Sequence, residues 1–209
     1  MSVAILAGGQ SNRFQQPKPL AMVAGKPLIL HTVEACQAHA SEIFLVVHTK
    51  EARTELAEYY PIDQIIVDVM PEPTCPLVGA LTAFKHARYP YTQLLPCDSP
   101  LIHPIFFEIL WSMVEGYAAA VPRWPNGWIE PLHSVFHTET AAQVAEQCLA
   151  RNEIRMYALI SALHRVIYLS TNALQRFDPK LHTFINVNSL VDLQKLKKIL
   201  GRKERYKAR

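Results

Sequence analysis

Gly8 and Gly9 follow the first short apolar run, Val3–Leu6, at once, and Ser11, Asn12, Arg13 and Lys18 come within the next nine residues. Two missing Cβ atoms let backbone N–H groups close on an anion. The hydroxyl and the amide add hydrogen bonds, and Arg13 and Lys18, five residues apart, supply the positive charge a triphosphate requires. The loop is neither a G-x-x-x-x-G-K-[ST] phosphate loop nor a G-x-G-x-x-G dinucleotide fingerprint. Asp98, just beyond the apolar run Gln93–Pro96, is the candidate Mg²⁺ ligand, because Mg²⁺ is usually held by a carboxylate beside substrate phosphates. Read by itself, Asp98 would serve equally as a turn or cap residue before Pro100.

Other groups suggest less. His133 and His137 are four apart, but Ser134 stands where H-E-x-x-H has its glutamate, and Pro131 and Val135 favour strand over helix. Trp111 lies among apolar helix neighbours and reads as core. Trp124-Pro125-Asn126-Gly127-Trp128 reads as a turn, and an exposed aromatic there would be a candidate substrate contact.

The elements that position these groups alternate. Val3–Leu6, Ile43–Val47, Ile65–Val67, Gln93–Pro96 and Ala118–Val121 read as buried strands, with helices at about 27–39, 51–59, 77–88 and 103–115 between them. Pro76 suits a first helical turn, and Ile105, Ile109, Leu110 and Met113 share one face of the fourth helix. The expected fold is a single-domain, Rossmann-like α/β architecture, with a mostly parallel sheet and helices on both faces. Ligands in such folds sit beyond the carboxyl ends of the strands, where the loops Ala7–Pro19, Asp68–Pro76 and Cys97–Leu101 lie.

Length and composition agree with one domain. The chain has 209 residues, 50% hydrophobic and 19% charged, enough to bury a core without staples. Cys36, Cys75, Cys97 and Cys148 contain no C-x-x-C, which fits a reduced, cytoplasmic protein rather than a disulfide framework or zinc ribbon. No signal peptide is expected from MSVAILAGG, and no apolar run reaches the length of a membrane span. Of the net charge of +3, the tail 201–209 carries +4 and the remainder −1. This reads as a domain at 1–200 with a disordered basic tail, not as the basic face of a nucleic-acid-binding protein.

The motifs resemble the GT-A-like nucleotidyltransferases, and among them the molybdenum cofactor guanylyltransferases. The resemblance rests on Leu6-Ala7-Gly8-Gly9, Ser11, Arg13 and Lys18, with Gly25-Lys26-Pro27-Leu28 after them. It continues through Asp68 and Cys75-Pro76-Leu77-Val78-Gly79, Pro96-Cys97-Asp98-Ser99-Pro100, and Phe184-Ile185-Asn186-Val187-Asn188-Ser189 with Asp192-Leu193. It implies Mg²⁺-dependent transfer of GMP from GTP to the phosphate of molybdopterin, with release of pyrophosphate. A cytidylyltransferase or sugar-phosphate nucleotidyltransferase of the same fold, and a non-catalytic nucleotide-binding or cofactor-handling protein, are the alternatives. The implied roles are catalytic for Arg13, Lys18 and Asp98, with Asp98 on the metal. Leu6, Ala7, Gly8, Gly9, Ser11, Lys18, Asp68, Gly79, Asp98, Asn186 and Asn188 would bind nucleotide. Asp68 would accept hydrogen bonds from guanine N–H donors or ribose hydroxyls. The asparagines would complete the phosphate and metal shell or act as ordinary caps. Arg155 resembles a basic segment near the pterin. Where the family has R-M-G-x-D-K, this chain reads Arg13-Phe14-Gln15-Gln16-Pro17-Lys18. Cys75 replaces a glycine, and His48 stands where asparagine is common. The implied partners are GTP, molybdopterin and, transiently, molybdoenzymes or their chaperones, with the chain a monomer or weak oligomer.

Overall fold

The computed structural model describes residues 1–8 and 17–207. The chain opens with β1 (Ser2–Leu6), whose Val3, Ala4 and Ile5 are wholly buried. A small hairpin comes next, β2 (Met22–Val23) and β3 (Lys26–Pro27), turned by Ala24 and Gly25 at φ of 48° and 83°. Positive φ at both central residues is the requirement of a tight primed hairpin turn, and Gly25 meets it without strain. Then come α1 (Leu28–Gln37), β4 (Glu42–Val47), α2 (Lys50–Leu56), β5 (Ile65–Val67), α3 (Pro76–His86), β6 (Tyr91–Pro96) and α4 (Pro104–Met113). The second half contains β7 (Ala119–Arg123), β8 (Val135–His137), α5 (Thr138–Ala150), α6 (Met156–Ala162), β9 (Val166–Ser170), α7 (Thr171–Leu174) and α8 (Leu190–Lys207).

Seven strands form one sheet in the order β5-β4-β1-β6-β8-β7-β9. All pairings are parallel except those of β8, which runs antiparallel between β6 and β7. Alternation along β1 and β4 sends Val3, Ile5, Leu45 and Val47 to one face with Phe106, Phe107 and Leu110. Ala4, Phe44 and Val46 go to the other, with Leu77, Leu81, Phe84 and Leu159. Both faces of the central strands are therefore dry, which is why the sequence reads there as unbroken apolar runs. Trp111 packs on the first of these cores and donates from Nε1 to Gln93 Oε1 at 2.6 Å, which satisfies the buried amide oxygen of Gln93.

A third, smaller core fixes the end of the chain. Leu196 of α8 and Val187 pack with Ala21, Val23, Leu28 and Leu101, so α8 sits on the β2–β3 hairpin. That docking carries residues 186–188 back to the carboxyl end of β6, where the Val187 N–H donates to the Asp98 carbonyl at 3.1 Å. The helix continues to Lys207, past the boundary expected at residue 200. Beyond Gly201, Arg202, Lys203, Glu204, Arg205 and Lys207 are good helix formers, so the charge run is compatible with a continuing helix. Among the described residues no helix is long and apolar enough to cross a membrane.

Candidate functional site

The carboxyl ends of β1, β4, β5 and β6 open into a cavity of about 750 Å³ lined by residues from eight separate stretches of the chain. That volume lies within the ordinary range for small-ligand pockets, ~300–1,000 Å³. Leu6 and Gly8 come from the end of β1, Asp68 from the residue after β5, and Cys75, Pro76 and Gly79 from the start of α3. Asp98 lies just past β6, and Asn186 and Asn188 precede α8. Ala7 is buried and tied by its N–H to the Val46 carbonyl at 2.7 Å, and it does not line the cavity. Gly9, Ser11, Arg13 and Gln15 lie outside the described residues.

At the centre, Lys18 Nζ donates to Asp98 Oδ2 and, at 2.7 Å, to Asn188 Oδ1. The two charged side chains retain only 14% and 11% of their exposure, so the pair is screened from bulk water but faces the cavity. A short helical turn at Lys18–Leu20, begun by Pro17 and Pro19, aims Lys18 at this point. Asn188 is held by the first turn of α8. Its N–H donates to Asp192 Oδ2 at 3.2 Å, and that carboxylate also accepts from Ser189 Oγ at 2.7 Å, while the Asp192 N–H returns to Ser189 Oγ. This is the reciprocal capping of a helix N-terminus. The hydrogen bonds to Ser189, with those of the neighbouring backbone, hold the Asp192 carboxyl below its ordinary pKa.

The donor set suits one kind of ion. Among the described residues no group of three or more His, Cys, Asp or Glu side chains converges, so a metal held entirely by such ligands has no site there. One carboxylate, with Asn188 beside it and Asn186 in the same cavity, is instead what Mg²⁺ uses when substrate phosphates fill the other positions. The Lys18 ammonium already sits as a cation against the Asp98 carboxylate.

At the other end of the cavity, Asp68 is held by His48 Nδ1 at 3.2 Å and by Thr82 Oγ1, which donates to Oδ1 at 3.2 Å. Burial pushes its carboxyl pKa up, and these hydrogen bonds oppose the shift. His48 also meets Thr74 Oγ1 at 3.0 Å. A Cβ on Gly79 would lie 3.6 Å from Leu6 Cδ1 and 3.8 Å from Asp68 Oδ1, in ordinary contact. The protein itself therefore tolerates a methyl there, and the bare glycine leaves that space beside Asp68 to a ligand. Cys75 has φ of −151°, extended backbone open to any residue, so the position does not require the family's glycine.

Sequence reasoning missed the support behind Asn186. Ser99 Oγ donates to Asn186 Oδ1 at 2.7 Å and lies 3.0 Å from His133 Nε2. With the serine proton given to Asn186, the ring must donate from Nε2. His133 is only 1% exposed, edge-on to Phe106 and Phe184, and its Nδ1 has no hydrogen-bond partner among the described residues, with Glu130 Oε2 at 3.8 Å. Burial pushes its pKa from 6.5 down to about 3, against the smaller opposing effect of the Thr183 backbone, so the ring is neutral near pH 7. The short helical turn Pro131–His133 and then β8 place it, whereas His137 caps α5 through Thr140, so the two histidines do not converge.

His133 also gives a pH dependence. Between its folded value of about 3 and its ordinary 6.5, the unfolded chain holds one more proton than the folded one. Its contribution to stability is complete above 6.5 and is lost as pH falls, at up to about 1.4 kcal/mol per pH unit. Urea unfolding at about pH 7 and about pH 5 should show this loss in the native chain and a smaller one in His133→Gln. Equal pH dependence in the two would contradict it.

A mostly parallel α/β sheet with a glycine-flanked, lysine- and carboxylate-bearing cleft at its strand ends defines a nucleotide-handling fold. The chain belongs to the MobA-like NTP transferase domain family, whose pattern it matches over residues 3–166. A probable molybdenum cofactor guanylyltransferase of Thermococcus gammatolerans is 32% identical to it, covering 93% of this chain and 98% of the relative. The corresponding protein of Pyrococcus furiosus is also 32% identical, over 93% and 95%. The crystal structure of molybdopterin-guanine dinucleotide biosynthesis protein A from Archaeoglobus fulgidus superposes with a TM-score of 0.82 over 97% of this chain and all of that one, at 24% identity.

Proposed function

We propose that the protein transfers GMP from GTP to the phosphate of molybdopterin, releasing pyrophosphate and forming molybdopterin guanine dinucleotide. The observation that carries this reading is the meeting of Lys18, Asp98 and Asn188 at the strand ends, in a chain of this family. The names of the Thermococcus and Pyrococcus relatives supply the substrates.

The phosphate monoester of the acceptor has a second pKa near ~6 and is mostly dianionic at neutral pH, so its oxygen attacks the α-phosphorus without a general base. The bond from the α-phosphorus to the bridging oxygen breaks, and that electron pair leaves on pyrophosphate. Bringing two anions together is an electrostatic task. Lys18 turns from Asp98 to the β- and γ-phosphates and neutralises the leaving group. Arg13 shares that role, with Gly8, Gly9 and Ser11 cradling the phosphates between Leu6, Ala7 and the rest of the loop. Asp98 would hold Mg²⁺ together with Asn186 and Asn188, and the bound ion would offset charge on the phosphates. Asp68 accepts from the N–H edge of guanine in the space left by Gly79.

The reaction is assigned to the cytoplasm, which the four free cysteines favour, with handover to molybdoenzymes or their chaperones. The test is pyrophosphate release with each of the four nucleoside triphosphates, molybdopterin and Mg²⁺. GTP alone should support turnover. Turnover with CTP instead would replace the reading by cytidylyl transfer, and none with any nucleotide would reject it.

A further inference from the structure

Asn186 reaches the cavity from a segment whose backbone is already fixed. The Thr183 N–H and hydroxyl both donate to Asp178 Oδ2, at 2.8 and 2.9 Å, and the same hydroxyl accepts from the His103 N–H at 3.1 Å. The Val187 N–H donates to the Asp98 carbonyl. What these bonds leave free is the side chain of Asn186. We infer that His133, acting through Ser99, is a positioning residue of the reaction, one that fixes the amide of Asn186 for the metal-bound nucleotide without lining the cavity itself. The inference rests on the reading of this cavity as a site for a nucleoside triphosphate with Mg²⁺.

The polar chain runs inward from the cavity wall. Asn186 lines the cavity, and behind it Ser99 and His133 are 0% and 1% exposed. Ser99 Oγ lies 2.7 Å from Asn186 Oδ1 and 3.0 Å from His133 Nε2. A hydroxyl carries one proton and turns about its C–O bond to suit its neighbours. The imidazole N–H, donating into a lone pair of Ser99, removes that freedom, and the serine proton goes to the amide oxygen. A loose amide would offer the cavity its oxygen or its N–H₂ group in turn. Held by Ser99, it offers one arrangement, and the second lone pair of Oδ1 stays open to an ion. Outer hydrogen bonds hold the ligands of a metal in this way.

Nothing in the packing calls for an imidazole at this position. The ring lies edge-on to Phe106 and Phe184, contacts that a phenyl ring would also make. Its Nδ1 has no hydrogen-bond partner among the described residues and faces Glu130 Oε2 at 3.8 Å, while Glu130 Oε1 is engaged by Trp124 Nε1 at 2.7 Å. A buried ring nitrogen left in that state destabilises the fold. The group that uses the imidazole is Ser99. Arg155, at the exposed start of α6, and the outward-facing Trp128 are not members of this chain of bonds.

The experiment measures GTP affinity of the full chain by calorimetry, once with Mg²⁺ and once with a chelator, with no acceptor present. The ratio of the two affinities reads the metal alone. Ser99→Ala and His133→Phe should each lower that ratio about tenfold or more, the usual effect of removing an outer partner of a metal ligand. GTP affinity in chelator should be unchanged in both. The double variant should be no worse than either single one, because both break the same line of bonds. His133→Gln, whose amide can still donate to Ser99, should restore most of the ratio. In GMP transfer, half-maximal Mg²⁺ should rise in Ser99→Ala and His133→Phe while kcat at saturating Mg²⁺ stays within about threefold, since the outer partner acts on metal affinity. Ser99→Ala removes a single oxygen and carries the test if the phenyl ring is not accommodated.

A loss of GTP affinity in chelator as large as that with Mg²⁺, additive effects in the double variant, or a glutamine no better than phenylalanine would each overturn the positioning role. A native chain that responds to Mg²⁺ while the variants respond equally rejects the role of His133 alone. A native chain indifferent to Mg²⁺ rejects the metal–nucleotide reading of the cavity, and the positioning role with it.

Discussion

Replacing Asp98 by asparagine is expected to lower GMP transfer by about 10³-fold at fixed Mg²⁺, at the upper end of what removal of one preorganised electrostatic group costs. The substitution keeps the shape of the side chain and removes its charge. Asp98 is 7% exposed, and its backbone carbonyl, which accepts from the Val187 N–H at 3.1 Å, is unaffected. The loop that brings Asn186 and Asn188 to the site should therefore persist. Lys18 loses its partner but keeps Asn188, and it faces a cavity that admits water, so the melting temperature should move little. The Mg²⁺ concentration giving half the maximal rate should rise in the same variant. Activity within tenfold of the native chain at the same Mg²⁺ would remove Asp98 from the reaction.

Lys18→Met should lower kcat by about 10²-fold or more, since the charge opposing the departing pyrophosphate is gone. Its effect on the metal should have the opposite sign. Lys18 is the cation now bound to Asp98, and without it the carboxylate has no internal competitor, so half-maximal Mg²⁺ should fall. Lys18→Arg should recover only part of the rate, because the planar fork cannot place a point charge between two phosphates. Kinetics of pyrophosphate release across a Mg²⁺ series read both variants at once. If both variants shifted the metal requirement in the same direction, the division of roles between Lys18 and Asp98 would be wrong.

The first half of this architecture is legible in the sequence because its strands are buried on both faces. Val3–Leu6, Ile43–Val47 and Ile65–Val67 fall within a residue of β1, β4 and β5, and Pro76 opens α3. The second half hides for physical reasons. β8 has three residues and comes directly after a short helical turn. β9 is an edge strand with exposed Tyr168 and Ser170; its short apolar run, Val166–Leu169, lies beyond the strand–helix alternation read from the first half. At the site, loop residues directly after strands could be located by the strand-end rule. Lys18 and Asn188 are 170 positions apart, and no spacing argument joins them; only the family motif around Asn186 and Asn188 did. Nor did anything in the sequence tie His133 to Ser99, because a buried histidine is defined by neighbours that only the fold supplies. The departures at Gln15 and Cys75 divide in the same way: the extended backbone at Cys75 needs no glycine, while Gln15 lies outside the described residues.

The most direct measurement tracks the α-phosphate. The full chain is incubated with GTP labelled at that phosphorus, molybdopterin and Mg²⁺, and the products are separated. The label should appear in a guanine dinucleotide of molybdopterin, one pyrophosphate being released for each, and chelation of the metal should stop both. Pyrophosphate without labelled dinucleotide, or a labelled dinucleotide formed from CTP in preference to GTP, would contradict guanylyl transfer as the function of this site.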